Sequence, residues 1–283
     1  MDINFSYQKP DDPLHISHRK RDTKDAMPDY HTHVDHYEVY YLINGKRKYF
    51  INDKTYYVNS GNLVFINKGI LHRTFYVDQY EHERLLINFN DQLFANEKNT
   101  YSSLLQAVFN QTLIIQLNRH EQQEIEYILF KMISEMQKEE DCVDLFLKTL
   151  LIQLLISSVR YLNRNTADTQ EFTGSVYHKM TDIIHYINKH YHTSELTLDS
   201  VADEFFISSY YLSRIFKKAT GFTYSEYLNH VRIQEAQRLL RESEMKVIDI
   251  AGKVGFNSLT HFGRVFKNHT RYTPSYYRRI HNN

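Results

Sequence analysis

From about Tyr30 to Asn90 the apolar residues fall in short β-branched and aromatic runs, Tyr37–Ile43, Lys48–Ile51, Lys54–Val58, Leu63–Ile66 and Arg84–Phe89. Asn44-Gly45 and Ser60-Gly61 punctuate them. Asn-Gly between such runs predicts a hairpin, and strands this short predict a small barrel or sandwich. After residue 100 the period becomes helical. Ile125, Ile128, Leu129, Met132, Ile133 and Met136 recur at i, i+3, i+4, and so do Leu147, Leu150, Leu151, Leu154 and Leu155 after the break Glu139-Glu140-Asp141. Two helices within 119–162 are expected, one face covered by the barrel and the remainder by a second protomer. Residues 163–175 are polar and aperiodic, which predicts a linker.

The C-terminal third carries one pattern twice. Leu198, Val201, Ala202 and Phe205 answer to Val247, Ile250, Ala251 and Val254 at an offset of 49, and Arg214, Phe216 and Lys217 answer to Arg264, Phe266 and Lys267 at an offset of 50. Each unit reads as a short amphipathic helix, a tight turn and a second helix, the arrangement of a helix-turn-helix DNA reader in duplicate. In the first unit Thr197 and Ser208 are placed to cap the two helices. Burying Leu212, Ile215, Phe216 and Ala219 turns Tyr210, Ser213, Arg214 and Lys217 outward, again at i, i+3, i+4, i+7. The second unit presents Thr260, Gly263, Arg264 and Lys267 in the same way, with His261 alongside. Gly221 suits a helix end, Thr223 to Glu226 is a capping box that opens a long joining helix, Gly255 suits a turn position with positive φ, and Thr273-Pro274 opens a closing helix.

Composition adds one point to this picture. The 283 residues carry 34 Lys and Arg against 34 Asp and Glu, a net charge of zero that averages unlike halves. Residues 175–283 hold 15 basic and 10 acidic side chains (net +5), which leaves 19 and 24 (net −5) for residues 1–174. The repeated half is therefore the basic one, as phosphate contact requires. An outward Arg donates two parallel hydrogen bonds to guanine, typically worth ~1–3 kcal/mol of discrimination, while Lys one turn further on fits a phosphate. The single cysteine, Cys142, excludes an internal disulfide. The N-terminus has no apolar signal core, and the run Leu150–Ile156 is broken by Gln153 and short for a membrane span, so a soluble cytoplasmic protein is expected.

Residues 176–280 resemble the C-terminal DNA-binding domain of the AraC family of bacterial transcription regulators, most specifically over Ser213–Gly221 and Ile250–Ser258. The resemblance implies two reader helices, joined by one long helix, in successive major-groove segments on one face of double-stranded DNA. Carried over by position, the base-facing residues are Tyr210, Ser213 and Arg214, then Asn257, Thr260, His261, Gly263 and Arg264. Three positions depart from the family pattern: Gly263 replaces a small polar residue, Arg271 stands where a glycine is usual, and Phe206 occupies the turn position that Gly255 holds in the other unit.

His31, His33, Glu38 and Gly45, followed by Gly61, Gly69 and His72, resemble the two motifs of the cupin barrel, with Asn67 for a proline and Tyr76 for an asparagine. In metal-binding cupins the matching histidines and glutamate are ligands, which would make His31, His33, Glu38 and His72 a site for a divalent metal. The family resemblance implies instead a barrel that binds a small effector, often a sugar, with no cofactor or metal required. His31, His33, Glu38, Tyr40, Tyr49 and His72 are then the candidate pocket residues. The expected architecture is α+β: a cupin-like β-barrel with two following helices (1–162), a linker (163–175), and an all-α domain of two helix-turn-helix units (176–283). The expected role is that of a DNA-binding regulator rather than an enzyme, with RNA polymerase and a second copy of the chain as further partners and no membrane. The alternative is a metal-dependent cupin enzyme or metal sensor with an attached helical domain.

Overall fold

A computed structural model of the chain describes residues 3–8, 12–21, 35–76, 81–110, 113–138, 140–162 and 175–281. The chain divides into two compact units that separate between residues 171 and 172, and the segments Asn52–Thr55 and Leu71–Arg73 cluster with the second. All but the last residue of the expected linker lies outside the described residues, and Ser175 opens a helix.

Among the described residues the first unit is built on nine strands: β1 (Ile3–Tyr7), β2 (Leu14–Arg21), β3 (Tyr37–Asn44), β4 (Lys46–Ile51), β5 (Lys54–Asn59), β6 (Asn62–Ile66), β7 (His72–Tyr76), β8 (His82–Phe89) and β9 (Leu113–Gln116). They form a six-stranded sheet in the order β1-β2-β8-β3-β6-β9 and a three-stranded sheet in the order β5-β4-β7. Alternation along each strand separates two faces. On β8, Leu85, Ile87 and Phe89 join the core beneath the helices, whereas Leu86 joins Tyr40, Leu42, Tyr49, Ile51, Val58, Val64, Ile66 and Ile114 in the core of the strands.

One sequence expectation is corrected here. Asn44-Gly45 does not close a hairpin: β3 and β4 belong to different sheets, and Gly45, at φ +101, turns the corner beyond a register shift between Leu42 and Asn44. The two-residue turn Asn52-Asp53, with Asn52 at φ +59, joins β4 to β5 instead. The two helices expected within 119–162 are α2 (Arg119–Glu135) and α3 (Val143–Leu162), and a 3-10 turn (Asp91–Glu97) and α1 (Lys98–Phe109), which were not expected, precede them. The N-cap of α1, Glu97, makes no side-chain capping bond, so the usual start signal is missing.

By length and composition α3 would cross a membrane, with 20 residues and a mean hydropathy of 1.5. Here Leu147, Leu150, Leu151, Leu154 and Leu155 are buried in the core with α1 and α2. Its apolar character comes from having two greasy faces. Leu145, Thr149 and Ile156 are exposed and Ile152 and Val159 half-buried, with spacings that alternate four and three residues.

The second unit is helical: α4 (Ser175–His190), α5 (Leu198–Glu204), α6 (Ser209–Thr220), α7 (Tyr224–Glu242), α8 (Val247–Lys253), α9 (Leu259–Thr270) and α10 (Pro274–His281). The sequence repeat is repeated in the hydrogen bonds. Ile207 N donates to Ala202 O at 2.9 Å in the first turn, as Phe256 N does to Ala251 O at 2.9 Å in the second. Ser208 accepts from Tyr211 N and Ser258 from His261 N, and Thr220 and Thr270 each donate back to the carbonyl four residues earlier. Gly221 (φ +78) and Arg271 (φ +68) end the two second helices in the same left-handed conformation.

Gly255 and Phe206 occupy equivalent turn positions at φ +92 and φ +53. A Cβ on Gly255 would stand 2.6 Å from Tyr191 O and 3.0 Å from Arg232 Nε, whereas the Phe206 side chain is 95% exposed. Opposite substitutions should therefore have opposite signs. Phe206→Gly relieves a left-handed non-glycine residue and should stabilise the helical unit by about 1 kcal/mol, whereas Gly255→Ala should destabilise it by more than that. Urea unfolding followed by circular dichroism checks both.

Candidate nucleic-acid interface and barrel interior

The reader face is produced by packing. Leu212, Ile215, Phe216 and Ala219 of α6, and Phe262, Val265 and Phe266 of α9, are buried, so the helical period turns the remaining positions to solvent. Tyr210, Ser213, Arg214 and Lys217 are exposed on α6, and so are Thr260, His261, Arg264 and Lys267 on α9 and Asn257 just before it. Among the described residues none of Arg214, Lys217, Arg264 and Lys267 is held in an ion pair; Arg214 lies over the Tyr211 ring, with Cζ 5.8 Å from its centroid. Gly263 is half-buried, and a Cβ added there would meet nothing within 4 Å, so the middle of the second reader face is bare.

The joining helix α7 packs on α6, α8 and α9. Its Ile233, Ala236, Leu239 and Leu240 enter the core of the second unit, and Tyr227 donates to Asn188 Oδ1 at 3.0 Å. Arg232 is buried and donates from Nε to Tyr191 O at 2.8 Å and from Nη2 to Thr193 O at 2.9 Å, while Gly255 packs against the guanidinium. This side chain, which the repeat did not reveal, ties the end of α4 to the turn of the second unit.

In the first unit, Glu38 on β3 is buried and accepts a hydrogen bond from Tyr49 Oη on β4, and the Tyr49 ring meets Tyr40 edge-on at 5.2 Å. Burial, reinforced by Glu38, pushes the Tyr49 hydroxyl well above its ordinary pKa, and burial also raises that of Tyr40. His31 and His33 lie outside the described residues. His72, the first residue of β7, is buried, in the segment Leu71–Arg73 that clusters with the second unit. Among the described residues no group of three or more His, Cys, Asp or Glu side chains is placed to hold a metal.

Sequence reasoning missed the arginines of this interior. Arg84 on β8 and Arg47 on β4 are buried, with Arg84 Cζ 5.9 Å from the Tyr40 ring centroid. Arg19 on β2 is the direct cross-strand partner of Arg84. The signal was the period-two pattern: Arg84, Leu86 and Asn88 share one face of β8. It was unreadable for Arg19 because β2, with two arginines, a lysine and two histidines, does not look like a strand. A separate cavity of about 330 Å³ lies by α1, lined by Tyr37, Phe94, Phe109, Ser102, Gln106 and Asn67 among others, and none of the candidate pocket residues reaches it.

Comparison with known proteins gives a match to the AraC-like ligand-binding domain over residues 13–155 and to a helix-turn-helix domain over residues 201–280. The chain is similar to the uncharacterised HTH-type transcriptional regulator YijO of Escherichia coli, 36% identical over 130 residues that make up 46% of this chain and 44% of that protein. It thus spans less than half the length of that relative. It is 25% identical to the E. coli transcriptional activator RhaS over 86% of this chain and 84% of RhaS. Among solved structures it is similar to the C-terminal domain of AraT, a response regulator from Geobacillus stearothermophilus, with 33% identity, coverage of 38% and 88%, and a TM-score of 0.37.

The packing of α7 on α9 predicts an acid sensitivity. Burial, with the neighbouring His269 adding to it, holds the His230 pKa down at about 3. The unfolded chain takes up this proton as pH falls below the ordinary 6.5, while the folded chain resists until near 3. Stability from the neutral imidazole is thus complete above pH 6.5 and lost as pH falls through that window. The unfolding midpoint of the intact protein should drop between about pH 7 and pH 5, and His230→Gln should flatten the slope, read by thermal melts across the pH series.

Proposed function

We propose that this chain, which belongs to the AraC family of DNA-binding transcription regulators and so to a non-enzymatic class, reads two successive major-groove segments with α6 and α9 and responds to a small effector held in the interior of its β-rich domain. The observation that carries the reading is the duplicated exposed face, Arg214 and Lys217 on one helix and Arg264 and Lys267 on the other, each backed by a matched core. Tyr210, Ser213 and Arg214 in the first unit, and Asn257, Thr260, His261 and Arg264 in the second, stand near the N-terminal ends of the reader helices, the part that reaches base edges in this class of motif. Lys217 and Lys267 lie one turn further on and serve phosphates. Gly263 offers only backbone.

Glu38, Tyr40 and Tyr49, with His72 and with His31 and His33, form the effector site in this reading. Effector binding shifts the population of DNA-competent states, the segment near 163–175 being the link between domains. The second face of α3 supports a homodimer. Leu145, Thr149, Ile152, Ile156 and Val159 follow the alternating spacing of a two-stranded coiled-coil seam, with Leu145, Thr149 and Ile156 exposed and Ile152 and Val159 half-buried at the edge of the chain's own core. The protein acts in the cytoplasm, where its DNA and RNA polymerase are.

Fluorescence anisotropy with the native upstream DNA tests the reading. Arg214→Ala and Arg264→Ala should each weaken binding by about 1–3 kcal/mol and relax base preference in one half of the site. Lys217→Ala should weaken all sequences alike and reduce the slope of log affinity against log salt by about 1. Wild-type affinity in both arginine variants at matched salt would refute the reader assignment. For the dimer, Leu145→Lys combined with Ile156→Lys should convert the protein to a monomer in light scattering without loss of helical content.

A further inference from the structure

Directly opposed positions on neighbouring strands put their side chains on the same face, and like charges so opposed are destabilising. Arg19 and Arg84 are such a pair on β2 and β8. Arg21 shares the face of Arg19 two residues on, and Arg47 of β4 lies within electrostatic reach of Arg84 and Arg21. Three guanidiniums, those of Arg19, Arg47 and Arg84, therefore converge on one interior with Arg21 beside them, and among the described residues the carboxylate on that face is Glu38, which Tyr49 engages. Glu83 points the other way, its Oε1 2.8 Å from His18 Nε2 on the opposite face of the sheet.

The donors are also unfilled. Arg47 and Arg84 are 5% and 3% exposed, yet Arg47 Nε, Arg84 Nη1 and the hydroxyl of the buried Tyr40 have no hydrogen-bond partner among the described residues, and neither has Arg19 Nε. Burial pulls Arg47 and Arg19 below the ordinary guanidinium pKa, with Arg84 adding like-charge repulsion to each. A buried charge is normally paired, and a buried donor normally bonded, because each otherwise bears its full desolvation penalty. Arg19 and Arg21 are half-buried, so the cluster runs from the closed interior towards solvent.

We infer that the interior of the β-rich domain takes an anionic small molecule, one bearing a carboxylate or phosphate group, in place of a neutral sugar. The inference rests on the reading of this interior as the effector site and specifies its ligand class. The planar forks of Arg47 and Arg84 suit bidentate recognition of an oxyanion, Tyr40 supplies a third donor, and the anion's charge offsets the repulsion between Arg19 and Arg84. Tyr49 is not available as a donor to it, since its hydroxyl is held by Glu38.

Thermal unfolding of the full chain at constant ionic strength tests this, with inorganic phosphate, succinate and xylose as probes. Phosphate or succinate should raise the wild-type melting temperature, each arm identifying its own headgroup, and xylose should not. In Arg84→Gln the apparent affinity for the effective anion should fall at least tenfold, while the unliganded variant should melt no lower than wild type because a like charge has been removed. Arg19→Gln, at a half-buried position, repeats the test should Arg84→Gln fail to fold. Equal anion responses in wild type and variant would overturn the proposal by showing that the anions bind elsewhere. A response to xylose that Arg84→Gln abolishes, with none to either anion, would overturn the charge assignment and leave the effector site standing. No response to any probe, with both variants melting below wild type, would make the arginines structural and remove both.

Discussion

Arg232 leaves α7 where the two helix-turn-helix units meet, and its guanidinium donates to the carbonyl oxygens of Tyr191 and Thr193 while the second turn packs Gly255 against it. Two segments distant in sequence, the stretch after α4 and the second turn, are thereby fixed to one rigid helix. The spacing of α6 and α9 follows from that helix, since each reader packs on α7 with its own apolar stripe. The proposed reading of successive major-groove segments needs such a fixed separation, because a duplex offers those segments at a fixed pitch. The close approach at Gly255 also explains why the two turns differ: glycine is required where the guanidinium presses on the backbone, whereas the equivalent Phe206 projects into solvent and is tolerated at the cost of a left-handed backbone.

In the β-rich unit the dominant constraint is the two-residue period of the strands. Along β8 it sends Leu85, Ile87 and Phe89 to the helices and Arg84, Leu86 and Asn88 to the interior. The same strand thus serves an apolar core beneath the helices on one side and, on the other, an interior where apolar packing around Leu86 gives way to opposed arginines with open donors. Such an arrangement comes at some expense in stability. Helix α3 shows the corresponding division with a longer period. One stripe is buried against α1, α2 and the sheet, and the opposite one carries the exposed Leu145 and Ile156, so much of what makes the helix apolar enough for a membrane is the stripe that the protein's own core covers.

Most of the helical unit was legible in the sequence. Thr197, Ser208 and Thr223 cap the helices they were expected to cap, Gly221 and Gly255 take positive φ, and the outward residues of α6 and α9 are those that the apolar stripe leaves over. These features depend on contacts within a few residues, and a repeat states them twice. The alternating runs of β3, β5, β6 and β8 were legible for the same reason. What the sequence could not decide was which strands pair: Asn44-Gly45 looked like a hairpin, but β3 pairs with β6 and β8, partners some 25 to 50 residues away. Nor could it show β2 as a strand, because its charged and histidine side chains become strand-like only when paired with β8 along its whole length. The opposition of Arg19 and Arg84 follows from that pairing alone, and Arg47 reaches them from β4 of the other sheet. The three are separated in sequence by tens of residues, and only strand register and the packing of the two sheets, both long-range properties, bring like charges into one interior and make them informative.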